Sequence, residues 1–173
     1  HRGVLTYAAR PWASVEEMDV GLIKRWNAAV AAKDEVWVLG DFSFRPRAGS
    51  LAIFEQLHGR KHLIRGNHDE RGADKLPWES IRDLHVWRQG GERLVLCHYP
   101  LLTWRNAHHG VGHLHGHSHG NLRAPRTTRL DVGVDTHDWR PWSLEEVRAE
   151  LATRTYHFMD HHQPQPGASG VEG

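Results

Sequence analysis

Residues 112–120, with the sequence GHLHGHSHG, are the stretch from which the fold can be worked out. The stretch follows a short apolar run and ends in His117-x-His119. In an extended segment, side chains two positions apart point to the same side. We therefore expect His117 and His119 to direct two imidazoles at one point, as a metal site requires. The alternative is a solvated histidine-rich loop, since the chain contains 16 His, and the upstream residues decide between the two.

The composition is that of a soluble globular protein. The chain has 173 residues, 39% of them hydrophobic and 25% charged, which suits one domain with a buried core. A net charge of +1 does not call for nucleic acid or an anionic membrane as partner. The one cysteine excludes an internal disulfide and a cysteine-rich zinc module, and it suits a reducing cytoplasm. No apolar run reaches the length of a membrane span.

Helical and strand patterns alternate along the chain and predict an α/β protein. Residues 1–159 are predicted to form a single domain, and residues 160–173, rich in Pro, Gly and polar residues, a disordered tail. The predicted helices cover about 15–32, 51–57, 78–84 and 143–152. The predicted strands cover 35–39, 62–64, 86–87, 93–97 and 130–134.

Candidate ligands follow four apolar strands, and glycine stands beside three of the four groups. Ligands in α/β folds gather beyond the carboxyl ends of strands. Oxygen and imidazole ligands without thiolate favour Mn, Fe or Zn. The four groups are Gly40-Asp41, Gly66-Asn67-His68-Asp69, His98-Tyr99-Pro100 and Gly116-His117-Ser118-His119.

These motifs, in this order, resemble those of the calcineurin-like metallophosphoesterases, especially the small bacterial and phage-type members. The resemblance extends from His1 to about residue 152. It implies a four-layer α-β-β-α sandwich with two mixed β-sheets. It also implies a dinuclear centre of two divalent ions, Mn, Fe or Zn with Mn favoured, which activates water for hydrolysis of phosphate esters.

The resemblance also assigns roles to single residues. Asp41 would bridge the two ions, and His119 would bind the first of them. His68 would be the catalytic residue, as a general acid or a phosphate contact. The second ion's shell would be completed by Asn67, His98 and His117.

Other residues near the motifs have less defined roles. His1, Arg45 and Arg105 are candidate substrate contacts, with surface solvation as the alternative for each arginine. Asp69 is expected to orient His68 or to bind backbone rather than metal. Asp135 follows a strand and is a candidate outer-shell residue.

The chain departs from the family pattern at its amino end. The family's first motif, Asp-x-His, supplies two ligands from the first strand, and no such motif precedes Asp41 here. His1 resembles the last residue of the stretch that follows that motif. The first metal site would then retain only Asp41 and His119. Unless residues upstream of His1 supply this motif in the native protein, we expect impaired catalysis, and sheet edges and core exposed where the first strand is missing.

The predicted function is hydrolysis of phosphodiesters or phosphomonoesters, with a small phosphate ester or a nucleotide as the partner. The alternative is a single-metal or metal-free remnant that acts as a binding or structural protein. A nuclease is disfavoured by the net charge near zero and the lack of a Lys/Arg cluster.

Overall fold

The computed structural model describes residues 2–124 and 126–156. The predicted tail at 160–173 lies outside the described residues. None of the described helices is long and apolar enough to cross a bilayer. The helices are α1 (Arg2–Tyr7), α2 (Val15–Ala29), α3 (Arg47–Phe54) and α4 (Leu144–Ala152). The strands are β1 (Glu35–Val38), β2 (Arg60–Ile64), β3 (Ser80–Arg82), β4 (Leu84–Gln89), β5 (Glu92–Cys97), β6 (Gly112–His115) and β7 (Arg129–Asp131).

The strands form two sheets, and the α/β class is confirmed. The first sheet has the order β1-β2-β3, and its described strands are all parallel. The second has the order β4-β5-β6-β7 and is mixed, because β4 runs antiparallel to β5 while the other pairs are parallel. Strands β1, β2, β5 and β6 each lead into a loop that carries candidate ligands, so the fold places these ligands beyond the carboxyl ends of the strands.

The predicted helix at 78–84 is wrong, because this segment forms β3 and the start of β4. Ile81 pairs with Leu63 of the parallel neighbour β2. Trp78 packs with Phe54 instead, and Leu84 is 48% exposed. The three apolar residues therefore satisfy helical spacing without sharing one buried face, and strand pairing decides the outcome.

The predicted starts of α2 and α4 are confirmed by their capping residues. Ser14 Oγ accepts the backbone N–H of Glu17 at 3.1 Å. At α4, Ser143 Oγ accepts the N–H of Glu146 at 3.2 Å, and the Glu146 carboxylate accepts the N–H of Ser143 at 2.8 Å. Each pair satisfies backbone donors that a helix start leaves without partners.

The main core links the two sheets with α4. Its residues include Leu39, which follows β1, Ile64 at the end of β2, Leu96 and Leu114 of the second sheet, and Val147 of α4. Beside this core, a groove of about 1200 Å³ runs along β1, which is an edge strand of its sheet. Apolar side chains of β1, β5 and α2 line much of it, among them Val36, Leu94 and Leu22.

His113 of β6 is a fully buried structural histidine that connects the second sheet to the loop after His98. Its Nδ1 donates to the Val95 carbonyl oxygen at 2.9 Å, and its Nε2 accepts the Leu101 N–H at 3.1 Å. Burial is the main reason that the pKa of His113 is lowered to about 4, and the neighbouring His115 and Arg129 act in the same direction.

We expect the metal-free protein to lose stability as the pH falls below 6.5, the ordinary pKa of this imidazole. In that range the unfolded chain binds a proton that the folded His113 does not take up until the pH nears 4. The expected loss from this residue between pH 6.5 and 5 is ~2 kcal/mol. Urea unfolding at pH 7 and pH 5 measures it. His113→Gln is the comparison, because the amide keeps both hydrogen bonds without titrating. An equal loss in both proteins would contradict the assignment.

Candidate metal centre

The loops after β1, β5 and β6 bring Asp41, His98 and His117 together. One ligand atom from each residue lies within 4.8 Å of the others. Within residues 2–124 and 126–156, these three residues form the group of His, Cys, Asp or Glu side chains that could hold a metal ion. His98 Nε2 is 3.5 Å from Asp41 Oδ2 and 3.2 Å from His117 Nδ1. Asn67 Oδ1, from the loop after β2, is 3.1 Å from the same nitrogen. The four residues that the strand-end pattern indicated therefore meet at one point.

The hydrogen bond of His98 to a backbone carbonyl gives its ring an orientation that suits cation binding. The buried ring places Nδ1 2.7 Å from the Leu39 carbonyl oxygen, which can only accept, so Nδ1 carries the proton. In the neutral ring, Nε2 then has a lone pair, and it faces the oxygens of Asn67 and Asp41. A hydrogen bond from the distal nitrogen to a carbonyl is the usual way in which proteins orient a metal-binding histidine.

The state of His117 suits the same role. Burial, followed by the neighbouring His98, lowers the pKa of His117, which favours the neutral ring that can coordinate a metal. Three candidate ligands also have left-handed backbone conformations, with φ of 55° at Asp41, 66° at His117 and 47° at His119. Non-glycine residues adopt this region at a cost, and such strain concentrates at functional sites.

Two glycines allow the loops to approach this closely. A Cβ atom at Gly40 would lie 2.3 Å from His98 Nδ1, and one at Gly66 would lie 2.3 Å from Asp41 Oδ1. Gly40 also has a φ of +86°. The glycines beside the sequence motifs thus provide space for the ligand side chains.

Asp69 holds the backbone of the loops that carry Asp41 and Gly66. Its fully buried carboxylate accepts the backbone N–H groups of Asp41 (2.8 Å), Phe42 (2.9 Å) and Gly66 (2.8 Å). Burial raises the pKa of Asp69, against the lowering effect of these hydrogen bonds. The expectation that Asp69 binds backbone is confirmed, and this carboxylate connects the loops that follow β1 and β2.

The extended geometry expected for His117 and His119 is wrong. Strand β6 ends at His115, and both histidines lie in the following turn at positive φ. The alternation of side chains along a strand therefore does not apply to these two positions. His119 Nδ1 lies 2.6 Å from Asp135 Oδ2, so it belongs to a neighbouring pair rather than to the three-residue group. Its assignment to a first metal stays a prediction.

Asp135 links His119 to the start of the chain. Its carboxylate also accepts two hydrogen bonds from Arg10, at 2.7 and 2.9 Å. Burial alone would raise the pKa of Asp135, but the hydrogen bonds from His119 and Arg10 outweigh it and lower the pKa to about 2. The sequence indicated a supporting role for Asp135. Arg10 was missed, because 125 residues separate the pair and no spacing pattern marks it.

The structure describes three of the four predicted catalytic and substrate residues, and their surroundings differ. The backbone N–H of His68 donates to Asp41 Oδ1 at 2.9 Å, which holds His68 beside the centre. Arg45 forms an ion pair with Asp19. Arg105 is exposed and, within the described part of the chain, forms no hydrogen bond or ion pair. His1 lies outside the described residues.

The fold and the site together define a two-sheet α/β protein with a candidate metal centre at its strand ends. The chain belongs to one family with the uncharacterized protein MJ1445 of Methanocaldococcus jannaschii, to which it is 33% identical over 155 residues, 85% of this chain and 82% of that protein. It is 32% identical to the gene 66 protein of Mycobacterium phage D29, with 80% of this chain and 85% of that protein covered. For the gene 66 protein of phage L5 the values are 30%, 88% and 86%.

The fold is also found in a solved structure. The Aquifex aeolicus protein of unknown function AQ665 superimposes with a TM-score of 0.63 over 87% of this chain and 92% of that one. Because the identity is 21%, this likeness shows the fold alone. No model of a known protein family matches the chain.

Proposed function

We propose that the protein is a metal-dependent hydrolase of phosphate esters with the four-layer sandwich of the calcineurin-like metallophosphoesterases. The observation that carries the proposal is the convergence of Asp41, His98 and His117 within 4.8 Å, with the lone pair of His98 directed at the cluster. Carboxylate, amide and imidazole donors fit Mn, Fe or Zn, and Mn is favoured.

The residues of the chain supply distinct parts of the proposed reaction. Asp41, Asn67, His98 and His117 hold the ion. When bound, a divalent ion supplies Lewis-acid polarisation of a phosphoryl oxygen and acidifies water. His68 donates a proton to the leaving oxygen, from the position that Asp41 Oδ1 fixes through the His68 backbone N–H. Asp69 keeps the loops of Asp41 and Gly66 together while charge develops.

A second candidate is a binding or structural protein that holds one metal ion. It is favoured by one observation, that within the described residues the group of close ligand atoms contains Asp41, His98 and His117 but not His119. The donors of that convergent group suffice for one ion. In the two-ion form of the proposal, Asp135 orients His119 through Nδ1, and Nε2 of the same ring is left to bind the first ion.

Hydrolysis of bis(4-nitrophenyl) phosphate decides between the two candidates. We expect 4-nitrophenolate release that requires Mn²⁺, stops after chelation and returns when Mn²⁺ is added back. His117→Ala is expected to lower the rate more than about 100-fold, beyond the loss usual for outer-shell residues. His109→Ala is the matched control, because that histidine is exposed and outside the cluster. Bound metal without turnover under Mn, Fe or Zn would instead support the single-metal binding protein.

A further inference from the structure

Exposed aromatic rings lie against the histidines of the candidate centre. The ring of Tyr99 is centred 4.9 Å from that of His98 and 5.0 Å from that of His117. Tyr7 of α1 lies 5.2 Å from His119. Both tyrosines keep much of their surface in solvent, 45% for Tyr99 and 55% for Tyr7. Large exposed rings beside a polar centre are typical of surfaces that stack on a ligand.

Tyr99 is held rigidly from both sides along the chain. The carbonyl oxygen of the preceding His98 accepts the Gly116 N–H at 3.1 Å. Two residues further on, the Leu101 N–H donates to the buried His113 at 3.1 Å. Because the backbone is fixed before and after it, Tyr99 loses little conformational freedom when a ligand stacks on it.

The charges around the centre limit the number of phosphates in the substrate. Arg10 is paired with Asp135, Arg45 with Asp19 and Arg65 with Asp83. Each of these guanidinium groups already has a carboxylate partner, whereas the exposed Arg105 has none among the described residues, so few guanidinium groups are available for additional phosphates. This arrangement suits a substrate with one phosphate at the metal rather than a polyphosphate or a nucleic-acid backbone.

From these three observations we infer that the substrates are esters of a single phosphate carrying a planar aromatic group, of the nucleoside monophosphate type, and that Tyr99 determines this specificity by stacking on the ring. The inference rests on the proposed phosphoesterase function and specifies its substrate class. The phosphate lies at the Asp41–His98–His117 cluster, and the ring lies on Tyr99, which contacts two of these residues.

Adenosine 5′-monophosphate and ribose 5-phosphate test the inference, because both carry a ribose and one phosphate and only the first has an aromatic base. Calorimetric titration of the Mn²⁺-loaded protein measures both affinities. We expect the nucleotide to bind about 10- to 100-fold more tightly than ribose 5-phosphate, because stacking of one base on an aromatic side chain increases affinity by about this factor. Tyr99→Ala is expected to reduce this ratio to near one, while Tyr99→Phe keeps it. Leu102→Ala, at an exposed residue of the same loop, is expected to leave it unchanged.

The outcomes separate this inference from the proposed function. If wild type hydrolyses bis(4-nitrophenyl) phosphate with Mn²⁺ but binds both compounds equally, the specificity inference fails and the phosphoesterase function stands. A nucleotide preference that survives Tyr99→Ala likewise overturns the role of Tyr99. If neither compound binds and no hydrolysis occurs, the proposed function and the inference fail together.

Discussion

Replacing Asp41 with Asn is expected to lower the affinity for Mn²⁺ by more than about 100-fold and the hydrolysis rate by at least as much. The change keeps the shape of the side chain and the oxygen that accepts the His68 N–H, but it removes the negative charge that faces His98 and His117. The loss should exceed the 10- to 100-fold effect usual for residues outside the coordination shell. Calorimetric titration with Mn²⁺ measures the affinity, and circular dichroism checks the fold.

Glu92→Gln is the matched control for the loss of one carboxylate. Glu92 begins β5, whereas His98 follows the end of that strand, and Glu92 pairs with Arg148 at the surface. We expect wild-type Mn²⁺ affinity and activity in this variant, because exposed ion pairs contribute little. If Asp41→Asn retained full Mn²⁺ affinity, Asp41 would not be a ligand of the metal centre.

The second large effect is expected on stability. Asp69→Ala should lower the free energy of unfolding by about 3 kcal/mol or more, because three backbone N–H groups lose a buried, charged acceptor. The variant should also bind Mn²⁺ more weakly, since the loops after β1 and β2 are no longer connected. Urea unfolding of the metal-free protein isolates the structural part.

The surface residue Asp83 provides the comparison for Asp69. It forms an exposed ion pair with Arg65, with 78% of its side chain accessible. Asp83→Ala is expected to cost under about 1 kcal/mol. A similarly small cost for Asp69→Ala would show that the buried carboxylate does not hold the site loops together.

The sequence was most informative where a strand leads into a loop. Apolar β-prone runs predicted that Asp41, Asn67, His98 and His117 follow strand ends, with glycine beside three of the four groups. Parallel pairing brings such ends to one edge of a sheet. The steric reason for glycine at these positions can be seen only in the structure. A Cβ atom at Gly66 would occupy the space of the Asp41 carboxylate.

The sequence was least informative where the backbone leaves regular geometry. Alternation along an extended strand predicted that His117 and His119 share one side, but both residues lie after the end of β6 at positive φ, where strand alternation does not apply. The pairing of Arg10 with Asp135 connects the chain's start with the turn after β7, and no local pattern encodes such a distant contact. Residues 78–84 show the same limit, because a parallel partner strand outweighed a spacing that also fits a helix.

The position of bound Mn²⁺ in a crystal is the most direct test of whether Asp41, His98 and His117 form a metal centre. Crystals grown with Mn²⁺ and measured at a wavelength where manganese scatters anomalously would locate each ion without reference to activity. We expect a strong peak within coordination distance of Asp41 Oδ2, His98 Nε2 and His117 Nδ1. Absence of a peak there at saturating Mn²⁺, or a peak only elsewhere on the molecule, would contradict it.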